Sequence, residues 1–307
     1  MEWARAGKSG ALATVIATWG SAPQPLGSQL AVDEDGHFAG SVSGGCVEGA
    51  VITEALTVMQ TGTARVLEFG VADETAWKVG LACGGRIRIL VQKMTPELVT
   101  ILTEVEQALA RRQAVALVTD LASGQSRLVT AGAEVQGSSR LTEDGAQFIA
   151  VHAPQPRLII TGAVHIAQHL ATLARMTGFA VAVIDPRGAF ATAARFPADE
   201  LHEAWPDEVV PKLGLDGRTA LAALTHDPKI DDPALLAALA SPAFYVGALG
   251  SRKTHGQRLA RLEQRGLDGA ALARIRAPIG LPIGAEGAAE IALSIMAEII
   301  AALRAGA

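Results

Sequence analysis

Two short stretches of the chain carry reactive sulfur: Ser43–Glu48, which reads Ser-Gly-Gly-Cys-Val-Glu, and Ala82–Gly85, which reads Ala-Cys-Gly-Gly. They contain the two cysteines of the sequence, Cys46 and Cys83, and each stands beside a Gly-Gly pair. Glycine permits positive φ, so such turns can converge backbone N–H groups on an anionic guest. A helical pattern starts directly after Cys46, and the partial positive charge of a helix N-terminus favours an anion or a thiolate. Either stretch alone reads equally well as a buried cysteine beside a tight turn. Their repetition favours function: Cys46 with Gly44 and Gly45, and Cys83 with Gly84, as soft thiols in amide-rich loops.

The second half of the chain offers different groups. Gly162 follows an apolar run and precedes a helical one, with Asp185 about twenty residues on, which is the outline of a dinucleotide site. The glycine fingerprint is incomplete, because Val164 stands at its second place and Ala167 at its third. The second glycine is the one that lets backbone approach a pyrophosphate. A Rossmann-like fold is therefore expected here, and conventional nicotinamide binding at this turn is not. Asp185 either accepts from a ribose or pterin or caps the next turn. His165 and His169 share a helix face, a spacing that can seat a metal, but the sequence places no third ligand. Gly247–Lys253 puts glycines after a strand, then a capping serine and two cations, so Gly250, Ser251 and Arg252 are expected to meet a phosphate. Ligands of open parallel sheets bind beyond the strand C-terminal ends. Gly162, Asp185, the run 225–227 and Gly247–Lys253 all fall at that edge.

Periodicity supplies the elements that position these groups. In the first half, strands are expected over 11–19, 29–32, 38–42, 65–69 and 86–92, with Ile87, Ile89 and Val91 on one face. Helical spacing runs over 47–60, where Val47, Val51, Ala55 and Val58 share a face. A short helix is expected over 73–79, and Pro96 opens another to about residue 112. Strands follow over 114–119, 126–130 and 146–151. Pro154 and Pro156 mark a linker, giving domains 1–152 and 157–307. Beyond it, continuous apolar runs at 157–161, 181–184, 219–224 and 244–248 alternate with helical patterns at 164–177, 233–240, 251–265 and 286–303. That alternation means a parallel sheet covered on both faces. The fold class is α/β: a mixed N-terminal domain, then a Rossmann-like parallel-sheet domain.

Composition sets the outer bounds. At 307 residues, half of them hydrophobic, the chain can bury two cores. A net charge of −5 argues against general nucleic-acid binding. Two cysteines make no disulfide framework, which points to a reducing cytoplasm, and no leader or membrane-spanning run is evident, so a soluble protein is expected.

Several long motifs together resemble the XdhC/CoxI family of accessory proteins for molybdenum hydroxylases. They are Ala17–Pro23, Gly40–Glu48 and Gly80–Gly85 in the first half, and Tyr245–Arg252, Ala277–Gly284 and Glu290–Glu298 in the second. Gly287 stands where relatives often carry proline at the helix start, a departure that touches capping. The resemblance implies a protein that binds molybdenum cofactor, shields it during sulfuration and delivers it to a xanthine dehydrogenase-type apo-enzyme. It implies a cysteine desulfurase as sulfur donor and a homodimer. In that setting Cys46 is the thiol expected to meet the molybdenum end, with Cys83 in support, while Gln29 and Glu48 could bond pterin edges. The phosphate is expected at Gly250, Ser251 and Arg252. The alternatives are an NAD(P)-dependent oxidoreductase using the second domain, which Val164 opposes, and a thiol-redox protein, which the absence of Cys-x-x-Cys opposes.

Overall fold

The computed structural model describes residues 3, 7–20, 24–70, 85–198 and 200–305. Cys83, Gly84 and the helix expected over 73–79 lie outside them. The described chain divides into two compact units, Met1–Pro154 and Gln155–Ala307.

The first unit is built on strands β1 (Gly10–Trp19), β2 (Gln29–Asp33), β3 (Phe38–Gly40), β4 (Arg65–Phe69) and β5 (Arg86–Lys93). They form an antiparallel sheet in the order β3-β2-β1-β5-β4. Helix α1 (Glu48–Thr61) lies on one face. Its stripe of Val47, Val51, Ala55 and Val58 is buried against Ala11, Ala13, Val15, Leu30, Ile87, Ile89 and Val91. On the other face Ile16 and Leu90 meet Leu117, Phe148 and Ala150. These belong to a second sheet of β6 (Val115–Asp120), β7 (Ser126–Val129), β8 (Arg140–Leu141) and β9 (Gln147–His152), in the order β7-β6-β9-β8. Burial from both sides explains why β1 is apolar without alternation. Helix α2 (Pro96–Ala110) starts where Thr95 Oγ1 accepts the Leu98 amide at 3.3 Å, with Pro96 in the first turn.

The second unit is a six-stranded parallel sheet of β10 (Arg157–Thr161), β11 (Ala180–Ile184), β12 (Leu201–His202), β13 (Thr219–Ala223), β14 (Tyr245–Ala248) and β15 (Ile275–Arg276). Its order is β12-β11-β10-β13-β14-β15. Alternate strand residues feed two cores. Leu158, Ile160, Ala220 and Ala222 pack under α3 (His165–Met176) and α8 (Ala288–Ala305). Ile159, Ile184, Leu221 and Ala223 pack under α4 (Pro206–Leu213), α5 (Pro228–Leu239) and α6 (Arg252–Gln264). A four-residue turn of helix, α7 (Gly269–Leu272), precedes β15. The winding reverses between β10 and β13, which makes their C-terminal ends the topological switch point.

Helix α5 corrects one expectation. It begins at Pro228 instead of Pro233, because Asp227 caps it through the Lys229 amide at 2.9 Å and Pro228 occupies the first turn, leaving Pro233 inside the helix. The short edge strands β12 and β15 and helix α4 carry too few periodic residues to stand out in the sequence. Among the described residues no helix is long and apolar enough to cross a membrane.

Candidate functional site

The loop before α1 is organised by one carboxylate. Glu48 is the first residue of the helix, and its side chain turns back into the loop that precedes it. Its Oε1 accepts the amides of Val42 at 3.2 Å and Ser43 at 2.9 Å, and the Ser41 hydroxyl at 2.8 Å. Its Oε2 accepts the Gly45 amide at 2.9 Å and the Ser43 hydroxyl. Ser41 Oγ in turn accepts the Gly44 amide at 2.9 Å, and Ser43 Oγ the Val47 amide at 2.9 Å. The convergent N–H groups expected to meet a guest are thus occupied from within. The reason is proximity: an acid at the helix start is the nearest anion for donors that the helix leaves unmet. Glu48 is therefore the loop's internal brace, which corrects its expected place at a pterin edge.

Electrostatics agree with that role. Glu48 is buried. Burial pushes its carboxyl up, but the bonds from Ser43 and Ser41 outweigh burial and bring it down to about 2. The positive φ values of Gly44 (73°) and Gly45 (114°) let the chain turn sharply enough to close around it. What the loop presents outward is Cys46, a free and exposed thiol, flanked by the exposed Gly44 and Gly45. Exposed glycines leave open space beside the sulfur: a Cβ at Gly45 would meet nothing within 4 Å. Gln29, on β2, accepts the Ser41 amide through its carbonyl at 3.0 Å, while its own Nε2 is covered and without a partner among the described residues.

At the carboxyl edge of the second unit, Gly162 has φ 101° and is buried. A side chain there would strike that of Thr225, so this glycine serves the close approach of two strand ends. Asp185 is fully buried. It accepts the Ala163 amide at 2.8 Å, the Arg187 amide at 2.9 Å, and the Arg187 guanidinium at 2.9 and 2.7 Å. Burial raises its carboxyl, but those bonds win and hold it below the usual carboxylate range. Of the two roles open to Asp185 in the sequence, the internal one is what the geometry displays. The first βα turn is consequently closed by its own acid.

The next turn, Thr225–Asp227, is braced by Asp231, a buried carboxylate of α5. Asp231 accepts the Thr225 hydroxyl at 2.7 Å and amide at 3.3 Å, the His226 amide at 3.0 Å and the Thr161 hydroxyl at 3.3 Å. This fixes His226 at φ 65°, a left-handed conformation uncommon outside glycine. Gly250, with φ 138°, lies next to it: a Cβ there would fall 3.6 Å from His226 Nδ1. Ser251 caps α6, its Oγ accepting the Thr254 amide at 3.2 Å, as its position predicts. Arg252 is exposed and makes no hydrogen bond or ion pair among the described residues. A cation that sequence reading missed is Arg258, on the inner face of α6 and buried, with Nη2 donating to the Leu249 carbonyl at 2.8 Å. Its signal was available: an arginine four positions before buried Leu262 lies on the helix stripe that faces the sheet.

The histidine pair of α3 lies with ring centroids 5.1 Å apart, but no third ligand joins it among the described residues. Asp33, Asp35 and His37 cluster on the β2–β3 hairpin. Asp33 already accepts the amides of Asp35 and His37 at 3.0 and 2.8 Å and faces Lys8, so this cluster is a tied hairpin.

Residues 3–70 match the family model described as the XdhC and CoxI family, and residues 158–299 the one described as the XdhC Rossmann domain. The chain is 34% identical over 302 residues to a protein of Escherichia coli strain K12 named molybdenum cofactor insertion chaperone PaoD, spanning 97% of this chain and 85% of that one. It is 31% identical to a Bacillus subtilis protein named as a probable subunit of xanthine dehydrogenase, over 94% of this chain and 92% of that one. A crystal structure from Bacillus halodurans, described as a xanthine dehydrogenase, superposes with a TM-score of 0.78 at 27% identity, over 99% of this chain and 94% of that one.

Proposed function

The chain belongs to the XdhC and CoxI family, and from that membership we propose that it is an accessory protein that carries molybdenum cofactor as cargo. In this reading it binds the cofactor, shields it while the terminal sulfido ligand is installed, and delivers it to an apo-hydroxylase of the xanthine dehydrogenase type. It catalyses no reaction of its own. A cysteine desulfurase supplies the sulfur, and the protein works as a homodimer in the cytoplasm. Residues 1–152 and 157–307 act as separate domains.

The observation that carries the reading is the exposed Cys46 thiol on a loop whose own amides are already satisfied. The cargo has an oxidisable metal–sulfur end, and a soft thiolate suits such a centre. Cys46 therefore holds the metal end, and the bare backbone of Gly44 and Gly45 leaves a flat pterin room to lie close. Glu48 acts at one remove: it fixes the loop so that the sulfur does not wander. Cys83 with Gly84 is the supporting thiol loop. A nicotinamide-dependent oxidoreductase gains no support, since Val164 stands where the fingerprint needs a glycine and the Ala163 amide is taken by Asp185.

The test is the metal content of the protein made in a cofactor-competent host. Wild type is expected to co-purify with molybdenum and pterin, and Cys46→Ser, equally folded, to retain less than about a tenth as much, the equivalent of ~1.4 kcal/mol. Equal contents would remove Cys46 from the function. Absence of molybdenum from wild type would overturn the reading itself.

A further inference from the structure

Arg258 lies in the second turn of α6 and is 2% exposed. Helical side chains point back toward the helix N-terminus, and this one reaches the Leu249 carbonyl at 2.8 Å through Nη2. Its guanidinium therefore sits at the mouth of the helix, under the loop that runs through Gly250 and Ser251. Nε and Nη1 are both covered, and neither has a hydrogen-bond partner among the described residues. His255, one turn earlier, has a covered Nδ1 in the same condition.

Buried donors are nearly always paired, so two unmet donors on one buried cation call for an explanation. Internal charge balance does not provide it. Asp232 gives both oxygens to Arg261, at 2.7 and 3.0 Å. Asp231 is occupied by Thr161, Thr225 and His226. Both acids lie near enough to act on Arg258 through space, and neither bonds it. Burial pushes the guanidinium pKa down, and an oxyanion at its free nitrogens would offset that burial. The setting favours an anion further. The first turn of α6 carries the unmet amides of a helix start, Arg252 and Lys253 are exposed at the same end, and the left-handed His226 lies beside Gly250.

We propose that the carboxyl edge of β13 and β14 binds a phosphate ester, and that its seat is Arg258, with His255 and the N-terminus of α6. The inference deepens the cargo-carrier reading and rests on it for the identity of the ester. That is either the phosphate of the pterin itself or that of a nucleotide attached to it. Arg252, the cation the sequence pointed to, is then a rim contact.

The experiment titrates the full chain, stripped of any bound cargo, with inorganic pyrophosphate, and separately with cytidine and guanosine monophosphate, followed by phosphorus NMR and by thermal melting. Wild type is expected to bind saturably and to melt at higher temperature as each probe is added. Arg258→Met removes the buried guanidinium together with its bond to the Leu249 carbonyl, and is expected to bind at least tenfold more weakly. Arg258→Lys, which keeps charge and stem, covers the case in which the methionine variant does not fold; it is expected to fold and to lose about fivefold or more. Arg252→Ala is expected to lose less than threefold. Similar affinities for pyrophosphate and the nucleotides identify the pterin phosphate as the natural group, and nucleotides binding tenfold tighter identify an attached nucleotide. The proposal is overturned if wild type shows no saturable response to any probe, or if the Arg258 variants melt lower while their response stays intact, since Arg258 is then structural. Molybdenum content is read on the same preparations before stripping. Wild type that binds pyrophosphate but carries no molybdenum defeats the cargo reading and leaves the phosphate site standing. Wild type that co-purifies with molybdenum but shows no phosphate response once that cargo is stripped does the reverse.

Discussion

The Ser43–Glu48 loop and the carboxyl edge of the Rossmann unit pose the same physical problem and answer it differently. Both are glycine-bearing turns that run into a helix, and both bring backbone amides toward a buried carboxylate. In the loop, Glu48 takes the amides of Val42, Ser43 and Gly45, and the serine hydroxyls take those of Gly44 and Val47, so the outward chemistry is the Cys46 sulfur. At the Rossmann edge Asp185 and Asp231 do similar bracing, yet one buried cation keeps donors to spare. A Gly-Gly turn before a helix is thus no measure of anion binding. What matters is which donors remain once the internal acceptors have been counted.

That contrast breaks most visibly at Glu48. Glu48→Ala frees the amides of Val42, Ser43 and Gly45 together, and is expected to destabilise the first unit by about 3 kcal/mol or more. Chemical unfolding against wild type measures it, and a change below ~1 kcal/mol would mean the loop is not braced as described. The effect carries a pH signature. The folded pKa of Glu48 is lowered to about 2 from 4.5, so its contribution is complete above pH 4.5 and lost as pH falls toward 2. The stability gap between wild type and Glu48→Gln should therefore close across that window, and a gap that is constant in pH would assign the effect to shape alone.

Asp185→Ala makes the corresponding break in the second unit. Arg187 is partly exposed and can turn to water, but the buried Ala163 amide cannot. The expected loss is about 2 kcal/mol, smaller than at Glu48, and Asp185→Asn should recover part of it by keeping an acceptor. If Asp185→Asn instead leaves stability unchanged and admits NAD(H), the first turn is a nucleotide site closed only by its acid.

Cys46→Ser sharpens the comparison from the other side. The thiol is exposed, and its replacement should change stability by less than ~0.5 kcal/mol while cofactor retention falls. That retention loss should be the same at low and high salt, because it removes a soft ligand and no charge contact. The smallest effect belongs to Arg252→Ala, with no partner to lose among the described residues: unfolding curves should superpose within ~0.5 kcal/mol.

Much of the architecture was written in short-range pattern. Continuous apolar runs with helical patterns between them specified the parallel sheet, and the Val47, Val51, Ala55 and Val58 stripe specified how α1 lies on its sheet. The capping role of Ser251 was local and legible for the same reason: a cap bonds within its own turn. Asp227 was equally local but was masked by a second proline at 233, which drew the helix start to itself.

The sequence by itself determined which residues could do chemistry and which family the chain resembles, because motif and periodicity are properties of neighbours along the chain. Only the tertiary structure decided which groups remained available. Glu48 and Gly45 are close neighbours in the chain, yet whether that acid turns inward to the loop or outward to a guest depends on the fold of the loop around it. Gly162 is a strand-to-strand clearance against Thr225, a residue far along the chain that no fingerprint includes. Arg258 looks like any helix cation until burial, the Leu249 carbonyl and the prior engagement of Asp231 and Asp232 leave it two donors without partners among the described residues. Hydrogen-bond accounting is a sum over all neighbours in space, and a sequence holds only those along the chain.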